Sequence, residues 1–170
     1  MPAFHLVDVV TGAGVSNAFF AGARGALVVF LCRHCPYVVH IREELGLLVR
    51  GISDEGIRTV AICANDPVRY PDDSPDRLRE MAVELGWEFP VLFDESQDVA
   101  RAFGAVCTPD LFLYDAAGGL YYHGRFDDST PGNGKPVTGA EIRGAIRALL
   151  SGSPAPPAAH PSIGCGIKWR

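Results

Sequence analysis

The stretch Leu31-Cys32-Arg33-His34-Cys35-Pro36 decides the fold, because it places two cysteines three positions apart where a predicted strand meets a predicted helix. The apolar run 26–30 before it indicates a buried strand. The apolar residues that follow are spaced three, four and three positions apart, as on one face of a helix: Val38, Ile41, Leu45 and Leu48. Such cysteines can form a disulfide with each other, and the helix dipole favours a thiolate at the first of them. The stretch therefore predicts a redox site.

The order of the other elements predicts an α/β fold. Strand patterns lie near residues 4–10, 57–63, 89–93, 111–114 and 120–126, and further helices begin after Ser74, Ser96 and Thr138. Thr138 and Glu141 have capping-box spacing. We expect a central mixed sheet flanked by helices on both faces, with an N-terminal strand extension. The redox stretch then lies at the carboxyl end of a parallel strand, where such sheets place their sites.

Composition narrows the function classes. The chain has 170 residues, 48% of them hydrophobic, which suffices for one domain over residues 1–152 followed by a linker and tail over 153–170. The net charge of −5 is spread along the sequence and leaves no basic stripe for nucleic acid. We see neither a bilayer-spanning run nor a secretory signal, so we expect a cytoplasmic protein without a membrane partner. Composition does not indicate the oligomeric state.

Five cysteines remain to be explained, and in a reducing cytosol they are expected to be catalytic, metal-binding or packed. A zinc site built on Cys32 and Cys35 needs a second ligand pair, whereas Cys63, Cys107 and Cys165 are scattered singly. We therefore favour redox chemistry and expect neither a metal nor an organic cofactor. Metal binding by Cys32 and Cys35 with Cys107 or Cys165 stays as an alternative of another class.

The C-terminal tail has an unusual composition. The Pro/Ala-rich linker 153–161 could span roughly 25–30 Å when extended. Ile163, Ile167 and Trp169 are unexpected in a loose terminus. One hypothesis is that the tail docks on the domain with Cys165 near the redox pair as a further thiol or a ligand. The alternative is that the tail packs through Trp169 and Cys165 is idle.

Three features together resemble the thioredoxin-like superfamily: the strand-to-helix Cys32-Arg33-His34-Cys35, the Thr108-Pro109 step before a strand, and an ending of hairpin plus helix. The resemblance covers roughly residues 4–150. The opening residues 4–31 are similar to the branch that contains alkyl hydroperoxide reductase and thiol-specific antioxidant proteins. A thioredoxin-like fold is therefore expected.

The resemblance implies roles for individual residues. Cys32 would be the more exposed, attacking thiolate, and Cys35 would resolve the mixed disulfide. Pro109 would be the cis-proline that, with Thr108, offers backbone groups to a substrate chain. Arg33 and His34 replace the Gly-Pro of thioredoxins, and their positive charge should favour the Cys32 thiolate. A stabilised thiolate should make the Cys32–Cys35 pair a better oxidant than thioredoxin.

Cys107 lies two residues before Pro109 and is either a third redox thiol or a small buried hydrophobe.

The expected activity is that of a thiol–disulfide oxidoreductase. It would exchange the Cys32–Cys35 disulfide with protein or small-molecule thiols, and a thiol reductant would recycle it. The alternative enzyme is a peroxiredoxin-like peroxidase with antioxidant activity. That family's nucleophile follows the pattern Pro-x-x-x-Thr-x-x-Cys, and Val29 or Cys32 stands where the threonine should be. The missing hydroxyl weighs against this alternative.

Overall fold

A seven-stranded mixed sheet forms the centre of the molecule, in the order β2-β1-β5-β4-β3-β7-β8. The computed structural model describes residues 1–156 and 159–170. The strands are β1 (His5–Asp8), β2 (Gly14–Ser16), β3 (Gly25–Phe30), β4 (Ile57–Cys63), β5 (Val91–Phe93), β6 (Cys107–Thr108), β7 (Asp110–Asp115), β8 (Leu120–Gly124) and β9 (Cys165–Gly166). The helices are α1 (Pro36–Asp54), α2 (Pro75–Glu84), α3 (Asp98–Phe103) and α4 (Ala140–Leu150).

Strand β3 is an interior strand of the sheet and contributes side chains to both faces. It pairs parallel to β4 and antiparallel to β7, and all its residues are buried. Its alternate side chains pack into two cores: Leu27 and Val29 face α1, α2 and α4, and Val28 and Phe30 face α3. Because the strand is buried on both faces, its sequence is apolar throughout and does not alternate with polar residues. The predicted mixed sheet with helices on both faces is confirmed.

Local boundaries differ from the sequence expectation in two places. Gly51 predicts that helix α1 ends there, but the helix runs to Asp54 because Ile52 continues its buried face. Helix α4 begins at Ala140 with Gly139 as its N-cap, so the expected capping box does not form. The Thr138 N–H instead donates to the Asp127 carboxylate at 2.7 Å, and Glu141 binds Arg125 at 2.6 Å. Charged partners from the preceding loop outcompete the local cap.

The chain ends on the domain, beside the redox stretch. Strand β9 pairs antiparallel with β6, so that Cys165 lies opposite Thr108 and Gly166 lies opposite Cys107. Ile167 is buried in the core that contains Phe30 and Phe103. No helix among the described residues has the length and hydropathy that a bilayer span needs.

Candidate active site

Cys32 and Cys35 lie where β3 passes into α1. The Leu31 N–H donates to the Ile62 carbonyl oxygen at 2.9 Å and extends the β3–β4 ladder to the residue before Cys32. Cys35 is the N-cap residue of α1, with Pro36 in the first turn. The exposed fractions of Cys32 and Cys35 are 1% and 0%. Both cysteines are therefore buried, and exposure does not distinguish Cys32 from Cys35 as the expected attacking residue.

Thr108 contacts both cysteines across the site. Its hydroxyl oxygen lies 3.3 Å from Cys32 Sγ, and the Cys35 thiol can donate to its carbonyl oxygen at 3.1 Å. The Thr108–Pro109 peptide bond is cis. The sheet thus brings together four residues that sequence reasoning selected, although more than seventy positions separate Cys35 from Thr108.

The two sulfurs differ in acidity. The pKa of Cys35 lies below the ordinary thiol value, first because the Cys32 thiol donates a hydrogen bond to it. The Cys165 thiol and the N–H groups of Val38 and Cys165 act in the same direction, against the cost of burial. The Thr108 carbonyl oxygen favours the protonated form, but these donors outweigh it. The surroundings therefore favour the thiolate form of Cys35 over that of Cys32.

The pKa of Cys32 is raised, which reverses the acidity order expected from the sequence. The hydrogen bond to Cys35 is the main cause, followed by burial and by the negative charge of Asp73. Asp73 is fully buried, and its Oδ1 accepts from the N–H groups of Arg33 and His34 at 2.8 and 3.3 Å. This carboxylate opposes the positive charge that the sequence places beside Cys32.

Asp73 is the functional residue that sequence reasoning missed. It lies in the loop before α2, where Asp72 and Asp73 stand side by side in a stretch rich in Pro and Asp. Asp73 Oδ2 accepts from the Asn65 side-chain N–H at 2.7 Å. The preceding Asp72 is exposed. Only the tertiary fold distinguishes the two carboxylates, and no local pattern marks Asp73.

Arg33 and His34 have different positions. The Arg33 guanidinium lies 3.7 Å from the exposed Asp72 carboxylate. The His34 ring stacks on Tyr70 with centroids 5.6 Å apart, and its Nδ1 lies 2.6 Å from Asp73 Oδ2. His34 is therefore a half-buried neighbour of Asp73.

Two other cysteines lack the surroundings of a nucleophile. The Cys107 thiol lies 3.8 Å from the Pro109 carbonyl oxygen, and burial raises its pKa to about 12. Burial and the charge of Asp73 raise the pKa of Cys63 as well. Both behave as small buried hydrophobes in this arrangement.

One group of side chains at the site could hold a metal ion. Ligand atoms of Cys32, His34 and Asp73 lie within 4.8 Å of one another. Within residues 1–156 and 159–170, the combinations expected from the sequence, Cys32 and Cys35 with Cys107 or Cys165, do not form such a group. Thiolate, imidazole and carboxylate together are donors that suit zinc.

The chain is similar in sequence to the AhpC/TSA family, whose profile matches residues 1–123. No curated protein sequence matches the chain significantly. An uncharacterized conserved protein from Geobacillus kaustophilus is 44% identical with a TM-score of 0.97, and the match covers 99% of this chain and 89% of that one. A hypothetical protein from Sinorhizobium meliloti 1021 gives the same identity and TM-score, with coverage of 99% and 92%.

A thiol:disulfide interchange protein of the thioredoxin family from Chlorobium tepidum shares the fold, with a TM-score of 0.67 and 20% identity over 88% of this chain and 94% of that one. The thioredoxin-like fold expected from the sequence is confirmed, and the family match over residues 1–123 confirms the resemblance of the opening residues. The class indicated by family and fold is a redox oxidoreductase.

Proposed function

The chain belongs to the AhpC/TSA family, and from that premise we propose that it is a thiol–disulfide oxidoreductase in which Cys32 and Cys35 cycle between dithiol and disulfide. The observation that supports this most is that both sulfurs lie at the N-terminus of α1 and contact Thr108, the residue before the cis peptide bond, at 3.3 and 3.1 Å. A thiolate on Cys35 beside a protonated Cys32 is a reduced state from which exchange can begin, because the thiolate is the nucleophile.

The reaction needs only the two sulfurs and a substrate disulfide. The Cys35 thiolate attacks one substrate sulfur, forms a mixed disulfide and displaces the other sulfur as a thiolate, which takes a proton from water. Cys32 then attacks Cys35 Sγ, and its proton leaves with the second substrate thiol. The protein dithiol is oxidised to a disulfide while the substrate disulfide is reduced to two thiols. A thiol reductant, which a cytoplasmic setting would supply, reverses these steps.

A polypeptide substrate would bind along β6. Extended peptides commonly add a strand to an exposed sheet edge, where main-chain hydrogen bonds provide affinity. The β6 edge lies beside Pro109 and accepts a strand, since β9 of the same chain pairs there. Thr108 would then hold the substrate strand next to both sulfurs.

A thiol peroxidase is the second candidate, and the thiolate on Cys35 at the N-cap of α1 favours it. Peroxide would oxidise Cys35 to a sulfenic acid, and condensation with Cys32 would give the same disulfide with loss of water. Stopped-flow oxidation by hydrogen peroxide, compared with reduction of insulin disulfides, ranks the two activities.

Trapping with insulin tests the main proposal. In a Cys165→Ser background, which removes the thiol of the neighbouring tail, Cys32→Ser should accumulate a mixed disulfide on Cys35, because no resolving thiol remains. The matched variant Cys35→Ser should accumulate none, because burial and the negative charge of Asp73 still raise the pKa of the remaining Cys32 thiol. Wild-type protein that leaves insulin disulfides intact would contradict the proposal. Near-stoichiometric zinc or copper in anaerobically purified protein would instead favour the metal-binding alternative.

A further inference from the structure

The last residues of the chain are fixed on the domain by buried polar side chains. The Lys168 N–H donates to Asn65 Oδ1 at 2.8 Å, and the Lys168 carbonyl oxygen accepts from Gln97 Nε2 at 3.0 Å. Asn65 and Gln97 are themselves buried. The Arg101 guanidinium lies 4.3 Å from the centroid of the Trp169 ring. Because buried amides need their partners, this set of contacts indicates a built docking site for the tail.

Pairing with β6 directs Cys165 toward the redox pair. Residues directly opposite in an antiparallel pair have side chains on the same face of the ladder. Cys165 lies opposite Thr108, whose hydroxyl contacts Cys32 Sγ at 3.3 Å. Cys165 is half-buried and packs against the core cluster that contains Cys32 and Cys35. The tail therefore brings a third cysteine, Cys165, into the part of the core that holds Cys32 and Cys35.

Gly164 permits this close approach. A Cβ atom at this position would overlap the Thr108 carbonyl oxygen and lie 3.1 Å from the Pro109 nitrogen. The tail thus crosses the cis-proline step at a distance that only glycine allows. This is the edge at which a substrate strand would bind in the proposed function.

We propose that Cys165 is a third redox-active residue and that residues 162–170 act as a tethered substrate strand, whose thiol forms a disulfide with Cys35. This inference rests on the proposed thiol–disulfide chemistry and extends it. The tail keeps a third thiol in contact with Cys35 and covers the pair when no other strand is bound.

The exchange step is balanced without a further reactant. Oxidation by a substrate gives the Cys32–Cys35 disulfide. The Cys165 sulfur then attacks Cys35 Sγ, the bond between Cys35 and Cys32 breaks, and Cys32 leaves as a thiolate that receives the proton lost by Cys165. One disulfide breaks and one forms, so the oxidation state of the protein does not change.

Disulfide mapping tests this inference on the full-length chain. The reduced protein is oxidised with glutathione disulfide, quenched in acid, alkylated, and mapped by mass spectrometry without reduction. We expect a Cys35–Cys165 linkage in addition to Cys32–Cys35. The Cys107→Ser variant, altered at the adjacent cysteine of β6, should keep the Cys35–Cys165 linkage. Gly164→Ala, which retains Cys165 but obstructs its approach, should reduce that linkage at least fivefold and leave Cys32–Cys35 in place.

The outcomes separate the two proposals. Finding only Cys32–Cys35 in wild-type protein, with Cys165 alkylated, would overturn the role of Cys165 and leave the proposed function intact. Finding no intramolecular disulfide would overturn both. An undiminished Cys35–Cys165 linkage in Gly164→Ala would show that strand pairing does not direct the exchange. Circular dichroism of each variant establishes that the fold is retained.

Discussion

Replacement of Asp73 by Asn tests the electrostatic account of the site most sharply. The buried carboxylate lies within 4.8 Å of Cys32 Sγ, and at that separation two unit charges interact by about 3.5 kcal/mol at an effective dielectric constant of 20. Since one pKa unit corresponds to about 1.4 kcal/mol, removing the charge should lower the pKa of Cys32 by about 2.5 units. The pKa should fall because the negative charge of Asp73 disfavours a second negative charge on Cys32.

The measurement uses thiolate absorbance near 240 nm as a function of pH. Asp73→Asn is compared in a Cys35→Ser background, so that Cys32 titrates without its coupled neighbour. Asp72→Asn is the matched control, because Asp72 is the adjacent but exposed carboxylate and should shift the titration of Cys32 by less than about 0.5 unit. An unchanged pKa of Cys32 in Asp73→Asn, with the fold intact by circular dichroism, would refute the reasoning.

Three further outcomes are expected. Because the pKa of Cys35 is lowered, the rate of its exchange with a small disulfide should vary less than about twofold between pH 6 and 8. The thiolate fraction of an ordinary thiol would rise on the order of 50-fold over that range. A steep rise of the rate, measured by stopped flow, would contradict the thiolate assignment. Gly164→Ala should accelerate insulin reduction on the order of tenfold, because an overpacked contact costs about 1–3 kcal/mol and favours the undocked tail. An unchanged rate would show that the tail does not compete with the substrate. Phe30→Ala should lower the free energy of unfolding by about 3–5 kcal/mol in urea, because its ring is fully buried against Phe103 and Phe112, while the exposed Leu47→Ala should change it by less than about 0.5 kcal/mol.

Elements with a local signal could be predicted from the sequence. The apolar run of β3 and the spacing of Val38, Ile41 and Leu45 in α1 depend on periodicity within one segment, and both elements form as expected. Their junction places Cys32 and Cys35 at the end of a strand, as the pattern indicated. Here the residues that define the fold are close together in the chain.

Features that depend on distant partners could not be predicted. Asp73 acts on Cys32 across forty residues, and its importance comes from burial beside Arg33 and His34. The acidity order of the two cysteines followed from that carboxylate and from the donors around Cys35, which belong to three separate segments. The helix dipole, which reasoning from the sequence placed at Cys32, acts at Cys35 because α1 begins at Pro36.

Pairing between β9 and β6 is likewise a long-range feature. The composition of the tail marked Ile167 and Trp169 as unusual, but the register that places Cys165 opposite Thr108 has no signature in either segment. A two-residue strand is too short for a period to be read from it.

The reduction potential of the Cys32–Cys35 pair tests the central claim most directly. The Cys165→Ser variant, which leaves only this pair in contact, is equilibrated in glutathione buffers of graded potential, and the fraction of disulfide is measured by alkylation and mass spectrometry. We expect a two-electron transition with a midpoint above about −270 mV, the thioredoxin value, because a stabilised Cys35 thiolate stabilises the reduced form. A pair that remains dithiol at every potential, or a midpoint at or below that value, would contradict the account.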